Sequence, residues 1–431
     1  MSTCSKRRWL TAQHVKIINM KSRIFLTVVL MIFAFQNCQN NSATSSSKDI
    51  KGIFVDFTET EKVKKRILRK DQFFLPAYTE LINKAELAMT QGPFSVVDKK
   101  RIPPSGDKHD YLSMGPYWWP DPSKADGLPY IRKDGEVNPE TRGENVDTDT
   151  KNKMANNVET LTWAFYFSGE KKYAEKAIQL LETWFVNPET KMNPNLNYAQ
   201  SIPGRVEGRG IGIIDFSGIN KIISPVQILE KQGNLTAETK EKLYDWFGQY
   251  LNWLVTSNYG KDEEDELNNH GTWFDVQTAG ISLLLGNAEM ARTILENVKT
   301  KRIGTQIEPD GSQPLEIART RSLSYSSMNL RGFIHLANMA QTIGVNLWNF
   351  ETSDGRSIRK GLDFLLPYVQ GKKKWEHQQI TNPEEALEGL KLNYLISAVK
   401  TGDKKYLEIA QLMSGPATEL EILLYPSFEI K

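Results

Sequence analysis

Two short segments gather the residue types that could move a proton beside a negative charge. "LNNHGTWFDVQ", Leu267 to Gln277, holds adjacent asparagines and one of the chain's five histidines. "EPDGSQPLEIARTRSLSYSSMNLRGF", residues 308–333, holds Arg319, Arg321 and Tyr325. Histidine and tyrosine serve as acid or base when their pKa values are drawn toward working pH. An amide and a guanidinium can hold charge where it develops. Arg319 and Tyr325 are spaced to reach one pocket from a loop and the first turn of a helix. Each residue also has a plainer account: tyrosine as packing, arginine as a solvated surface, asparagine as a helix cap.

The cap and the reaction centre need not compete. The apolar pattern after Asn269 runs through Phe274 and Ala279, which predicts a helix with His270 in its first turn. A helix N-terminus offers free N–H groups and the positive end of a dipole, which suits an anionic ligand. Asn268 is then the cap or spacer. Asn269 and His270 are then the candidates for the chemistry.

Two further segments supply walls. "MNPNLNYAQSIPGRVEGRGIGIIDF", residues 192–216, carries Asn195, Asn197, Gln200, Arg205 and Arg209, a polar wall for an anion or else a turn with guanidiniums in water. The Pro-, Gly- and aromatic-rich region 93–152 is a long loop of the kind that usually has a function. In it Tyr117, Trp118 and Trp119 can stack on sugar rings or anchor the loop to the body. His109 is a possible further participant, whereas His335 falls on a packed helix face and His377 in the solvated run "KKKWEHQQ".

The elements that must position these residues read as helices. Segments such as "NNVETLTWAFYFSG", "KYAEKAIQLLETWFV", "VQTAGISLLLGN" and "MNLRGFIHLANMAQTIG" repeat apolar residues at three-to-four spacing, and strand alternation is scarce. "FSGEKKYAEKAIQLL" and "KTGDKKYLEIAQLM", with "LLGNAEMARTILE" as a looser third copy, share a helix end, a glycine, a capping residue and a new helix. Stacked helical hairpins extend as a solenoid or close into an α/α toroid with a groove at one end. The irregular repeats predict an all-α, incomplete toroid whose long loops lie over the groove.

Composition bounds the rest. Lys and Arg total 54 against 52 Asp and Glu, a net charge of +2, so there is no general case for nucleic acid or membrane partners. Both cysteines, Cys4 and Cys38, precede the helical region, which therefore has no disulfide, thiol nucleophile or zinc-thiolate site. No metal-ligand spacing is visible, and no cofactor is expected. Lys21 and Arg23 followed by "IFLTVVLMIFAF" read as an export signal starting at Met20, too short for an ordinary membrane span. Cys38 and the tether "QNNSATSSSKD" resemble a bacterial lipoprotein junction, implying a periplasmic or outer-membrane anchor. The expected organisation is 1–38 extension and signal, 39–50 tether, and 51–431 one domain.

"DYLSMGPYWWPDP", "NPNLNYAQSIPG", "NNHGTWFDVQ" and "PDGSQPLEIARTRSLSYS", in that order, resemble the signature blocks of the alginate lyase domain superfamily, over about residues 93–345. These α/α-toroid polyuronate lyases are similar to polysaccharide lyase family 5. The resemblance implies that Asn269 and His270 match the family's Asn-His pair, and Tyr325 its catalytic tyrosine. It implies an arginine shortly before that tyrosine, where Arg319 is favoured over Arg321 by spacing. The expected ligand is an anionic polysaccharide touching Tyr117, Trp118, Trp119, Asn197, Gln200, Arg205, Arg321 and His109.

Such chemistry explains the residue set. β-Elimination removes a C5 proton made poorly acidic by the adjacent carboxylate, so an amide and a cation must neutralise that carboxylate. A base then takes the proton and an acid protonates the departing O4. The nearby arginine is expected to favour the Tyr325 phenolate. Tyr325 is the acid, and also the base for a syn elimination; His270 is the base for the opposite C5 epimer or else a carboxylate neutraliser. Mannuronate-rich alginate is the leading substrate, with glucuronan second. Rival readings are a hydrolase using paired carboxylates among Asp147, Asp149, Asp215, Asp265 and Glu266, and a non-catalytic surface glycan-binding lipoprotein.

Overall fold

Capping chemistry sets the helix boundaries. The structure, a computed structural model, describes residues 52–413 and 417–426; the export signal, Cys38 and the tether lie outside them. In chain order the elements are α1 (Phe57–Leu68), α2 (Leu75–Met89), β1 (Leu112–Met114), β2 (Trp118–Trp119), β3 (Ile131–Arg132), α3 (Thr148–Ser168), α4 (Lys171–Phe185) and β4 (Tyr198–Ser201). After a 3-10 segment, Gly210–Ile219, come α5 (Asn220–Lys231), α6 (Ala237–Thr256), α7 (Asn258–Glu264), α8 (Asn269–Leu284) and α9 (Ala288–Val298). The last are α10 (Ser322–Thr342), α11 (Ile358–Val369), α12 (Pro383–Thr401), α13 (Lys404–Leu412) and α14 (Glu419–Leu424).

The three repeats are helical hairpins. Gly169 ends α3 at φ 78° and Gly402 ends α12 at φ 69°, in the left-handed region that glycine enters without steric cost. Asp403 and Asn287 cap the following helices through Lys405 N and Met290 N. Glu170 departs from the expected pattern, because its side chain makes no cap hydrogen bond. A glutamate stem is one carbon too long for the tight turn that Asp and Asn close.

Five helices, α3, α5, α8, α10 and α12, pack side by side in that order, with α4, α9 and α13 returning against α3, α8 and α12. Their N-terminal ends share one rim. Lys151 in α3 donates to the Asp215 carbonyl just before α5, and Gln277 of α8 donates to the carbonyl of Ile213 in the same segment. Asn269 at the start of α8 is bonded to Glu316 just before α10. Ser322 at the start of α10 donates to the Gln378 carbonyl, just before α12. The N–H ends and the interhelix loops therefore face one side, where a groove for an anion would lie. This layered ring of helical hairpins is the expected α/α-toroid architecture.

The inner helices are buried nearly all round, α8 from Gly271 through Ser282 without a break. Polar Thr272, Asp275, Gln277, Thr278 and Ser282 are buried there together with the apolar residues. Large aromatics including Trp163, Trp184, Tyr250 and Phe247 fill the layer between inner and outer helices, each burial stabilising by about 1.5–3 kcal/mol. The only sheets among the described residues are two-stranded: β1 with β4, parallel, and β2 with β3, antiparallel. They fold the 93–152 loop onto the rim. No helix among the described residues is long and apolar enough to cross a membrane.

Candidate active site

The start of α8 is built from the backbone outward. Asn268 caps it, its side-chain oxygen accepting from His270 N at 2.9 Å, as the sequence predicts. Gly271 is required by proximity, since a Cβ there would stand 2.1 Å from the Glu266 carbonyl oxygen. Beside it, fully buried Arg302 donates twice to Asp275, at 2.7 and 3.0 Å, and to the carbonyls of Glu264 and Glu266. The acidic run before the helix is thereby pinned beneath the rim.

Two buried carboxylates hold the reactive pair. Asn269 donates its backbone N–H (2.6 Å) and its side-chain amide (2.8 Å) to the two oxygens of Glu316. Asn269 and Glu316 are each 1% exposed. Because Glu316 only accepts when ionised, the Asn269 amide nitrogen must face it, which leaves one amide N–H unspent. Glu263, itself fully buried, lies 2.8 Å from His270 Nδ1. This fixes the ring so that Nδ1–H donates to Glu263, and Nε2 is the nitrogen left for a ligand. Burial works against an imidazolium here. Glu263, with Glu266 and Glu316 behind it, outweighs that and raises the His270 pKa above its ordinary value.

Tyr325 stands in the first turn of α10, on the neighbouring inner helix. Arg319 Nη2 donates to its hydroxyl at 3.0 Å, and the guanidinium lies 4.0 Å from the ring centroid. Tyr117, from the loop before β2, meets the same hydroxyl at 2.6 Å. Arg319 is oriented by Asp134, which accepts from Nε at 3.1 Å and Nη2 at 2.8 Å. The phenolate expectation is corrected. Burial and the neighbouring Tyr117 outweigh the pull of Arg319, and the Tyr325 pKa sits well above the ordinary phenol range. In the resting protein it is a phenol.

The remaining predicted residues separate into groups. Gln200 is buried in the wall at φ 49°, a costly conformation for a residue other than glycine. Its amide donates to Asp215 at 3.0 Å, and its oxygen accepts from Arg209 at 2.8 Å. Arg205 is exposed, donates to the Tyr130 carbonyl and lies 5.1 Å over Trp118. Lys133 lies 5.0 Å over Trp119, whose indole donates to the Glu136 carbonyl. One face of each tryptophan is thus taken up in fastening the loop. Asn197 is exposed and accepts from Trp253 Nε1. Arg321 approaches the Tyr117 ring at 5.8 Å.

His109 Nδ1 is 2.6 Å from the Lys191 carbonyl, joining the loop to the segment after α4. His335 is buried against Phe54 and Trp273, as its helix face predicts, and His377 is exposed beside Trp375. Two of the five carboxylates named for a hydrolase are engaged elsewhere. Asp147 is buried in an ion pair with Lys99 at 3.1 Å. The Asp215 carboxylate is held by Tyr111, Ser113 and Gln200.

Glu263, Glu316 and Asp134 carry no signal of their role in the sequence. Glu263 sits in an acidic run that looks like a solvated surface, and Glu316 in a short turn (Pro314–Ile317). Only the fold brings them beneath Asn269 and His270. Asp134 lies in the long loop, and its partner Arg319 is distant in sequence.

The alginate lyase family model matches residues 95–375, more than half of the chain. An alginate lyase from Bacteroides ovatus is 39% identical, covering 87% of this chain and 98% of its own, with a TM-score of 0.83. Alginate lyase A1-III from Sphingomonas species A1 is 16% identical over 81% of this chain and 93% of its own, with a TM-score of 0.51. A variant of A1-III complexed with tetrasaccharide is 14% identical over 89% of this chain and 99% of its own, with a TM-score of 0.56. At such identities the last two bear on the α/α-toroid fold alone. No curated protein matches.

Proposed function

The chain belongs to the alginate lyase family and is a polysaccharide lyase; from its site we propose that it cleaves a 4-linked polyuronate, mannuronate-rich alginate first, by β-elimination. The observation that carries this reading is the pairing of Tyr325, braced by Arg319, with His270, braced by Glu263, at the adjoining ends of two inner helices. The His270 imidazolium and the remaining Asn269 amide N–H meet the substrate carboxylate, so that charge moving onto it during C5 deprotonation finds donors already in place. With its pKa raised, His270 suits neutralisation better than abstraction.

Tyr325 is assigned to the proton transfers. In a syn elimination it gives up its own proton to bulk water as substrate binds, Arg319 stabilising the phenolate, and the phenolate then takes the proton from C5 and delivers it to O4. The C5–H electron pair becomes the C4=C5 bond and the C4–O4 bond breaks. Tyr117, Trp118 and Trp119 line the approach with Arg205 and Arg321. The sequence before residue 51 supports export and anchoring through Cys38.

Ultraviolet absorbance of the new double bond, followed on polymannuronate, polyguluronate and glucuronan, tests this. The expected rise is fastest on polymannuronate. A faster rise on glucuronan would transfer the assignment to that polymer, and a flat trace on all three would end the reading.

A further inference from the structure

A second polar concavity opens on the same rim. It lies between the N-terminal ends of α3 and α5, has a volume of about 300 Å³, and is lined by Thr148, Lys151, Asn152, Asn156, Ser217 and Lys221 among others. Ligand pockets run from about 300 Å³ upward, so this space suits one small unit. Lys151 is only 7% exposed. Its ammonium donates to the Asp215 carbonyl and lies 5.5 Å over the Phe216 ring. Among the described residues it has no salt bridge.

An ammonium buried without a counter-charge costs stability, and a methionine would fill the same volume without that cost. Burial pushes the Lys151 pKa down to about 8 despite the pull of Asp215, as expected of a cation lacking its anion. The charges facing it are accounted for. The Asp215 carboxylate is turned into Tyr111, Ser113 and Gln200, Glu159 is 3.6 Å from Lys221, and Arg142 adds to the positive potential. Asn152 and Ser217 make no side-chain hydrogen bond among the described residues, so neutral donors stand beside the cation.

The pocket is joined to the reaction centre by a continuous wall. Lys151 bonds Asp215, Asp215 bonds Gln200, and Gln200 bonds Arg209. The Arg209 guanidinium packs at Gly115 beside Trp118, next to Tyr117, whose hydroxyl meets Tyr325. Every unit of a polyuronate carries a carboxylate, so a groove that holds several units needs cations away from the bond it breaks. We infer that this pocket is a carboxylate subsite for a uronate unit distal to the cleaved bond, with Lys151 as its cation and Asn152 and Ser217 as its neutral donors. The inference rests on the polyuronate reading above.

The test compares long and short substrates on one preparation. Lys151→Met should lower kcat/KM on polymannuronate about tenfold more than on mannuronate trisaccharide, which offers few units beyond the cleaved bond. The ratio cancels any loss of folded enzyme. Asn152→Ala, a milder change, should shift the same ratio in the same direction by about threefold. Equal losses on both substrates, or no loss with either variant, would overturn the subsite. Calorimetric binding of a mannuronate decasaccharide in a Tyr325→Phe background separates this from failure of the lyase reading. There Lys151→Met should weaken binding about tenfold, and inorganic phosphate should not compete at millimolar concentration. Unaltered binding, or full competition by phosphate, would reject the polymer subsite whether or not the wild type cleaves.

Discussion

Around His270 the fixed charges are negative and buried, with Glu263 fully inaccessible and Glu316 1% exposed; around Tyr325 the charge is the guanidinium of Arg319, whose side chain and that of its partner Asp134 are each 22% exposed. The first bank stores a proton on a base that would otherwise lose it when buried. The second surrounds an acid with a cation, yet burial still keeps the phenol protonated. Each environment favours the protonated form of its group, and for opposite reasons. The helix bank is a preset electrostatic floor, whereas the loop bank becomes a base only when ligand and Arg319 together tip Tyr325. The division predicts that damage to the loop bank stops the chemistry and damage to the helix bank retunes it.

The largest effect should come from Tyr325→Phe. Loss of a positioned acid and base typically costs two to four orders of magnitude, and one residue here is assigned to both transfers. We expect kcat to fall at least about a thousandfold while the enzyme still binds a mannuronate decasaccharide in calorimetry. A variant retaining a tenth of wild-type turnover would move the proton transfers to the helix bank and dissolve the contrast.

Glu263→Gln should have the intermediate effect, read as a displaced pH profile. The imidazolium that neutralises substrate is present below the His270 pKa and lost as pH rises through it, so His270 sets an alkaline limb. Glu263 raises that pKa, and burial lowers it. Without the Glu263 carboxylate, burial is opposed only by Glu266 and Glu316, and the limb should move to lower pH, with about a tenfold loss at mildly alkaline pH. If His270 were the base, its titration would instead set the acid limb, and that limb would move to lower pH. Profiles of kcat/KM for the two enzymes decide between them.

The contrast also explains what could be read from the chain. The helices, the three glycine-ended hairpins, the Asn268 cap and the grouping of Arg319 with Tyr325 follow from local rules of spacing and capping. The supports of the site do not. Glu263 is hidden in "KDEEDE", where composition argues for water, and it is buried because Arg302, far along the chain, pins that run from beneath. The expectation for Tyr325 misjudged magnitude: adjacency to arginine was legible, but burial and the Tyr117 hydroxyl, which outweigh it, are products of the loop's tertiary path. A sequence shows which groups can meet. How much water they lose on meeting is decided by the fold.

The smallest effect should be that of Asp134→Asn, and it probes the loop bank without touching the acid. The bidentate contact fixes the guanidinium against Tyr325. Part-burial works against the Asp134 carboxylate, but Arg319, Arg132 and Thr320 hold its pKa below the usual carboxylate range. A partly exposed pair of this kind stabilises by about 1 kcal/mol or less, and the same looseness in Arg319 should lower kcat by about fivefold. The sign of the pH dependence follows from the depressed pKa. The stabilisation is present above the unfolded value near 4 and is lost as pH falls through the folded value. Wild type and variant should therefore differ in urea midpoint at pH 7 and converge below pH 4. A difference that persisted in acid would mean that Asp134 serves the loop through hydrogen-bond geometry rather than charge, and the cationic character of the Tyr325 bank would then rest on Arg319 alone.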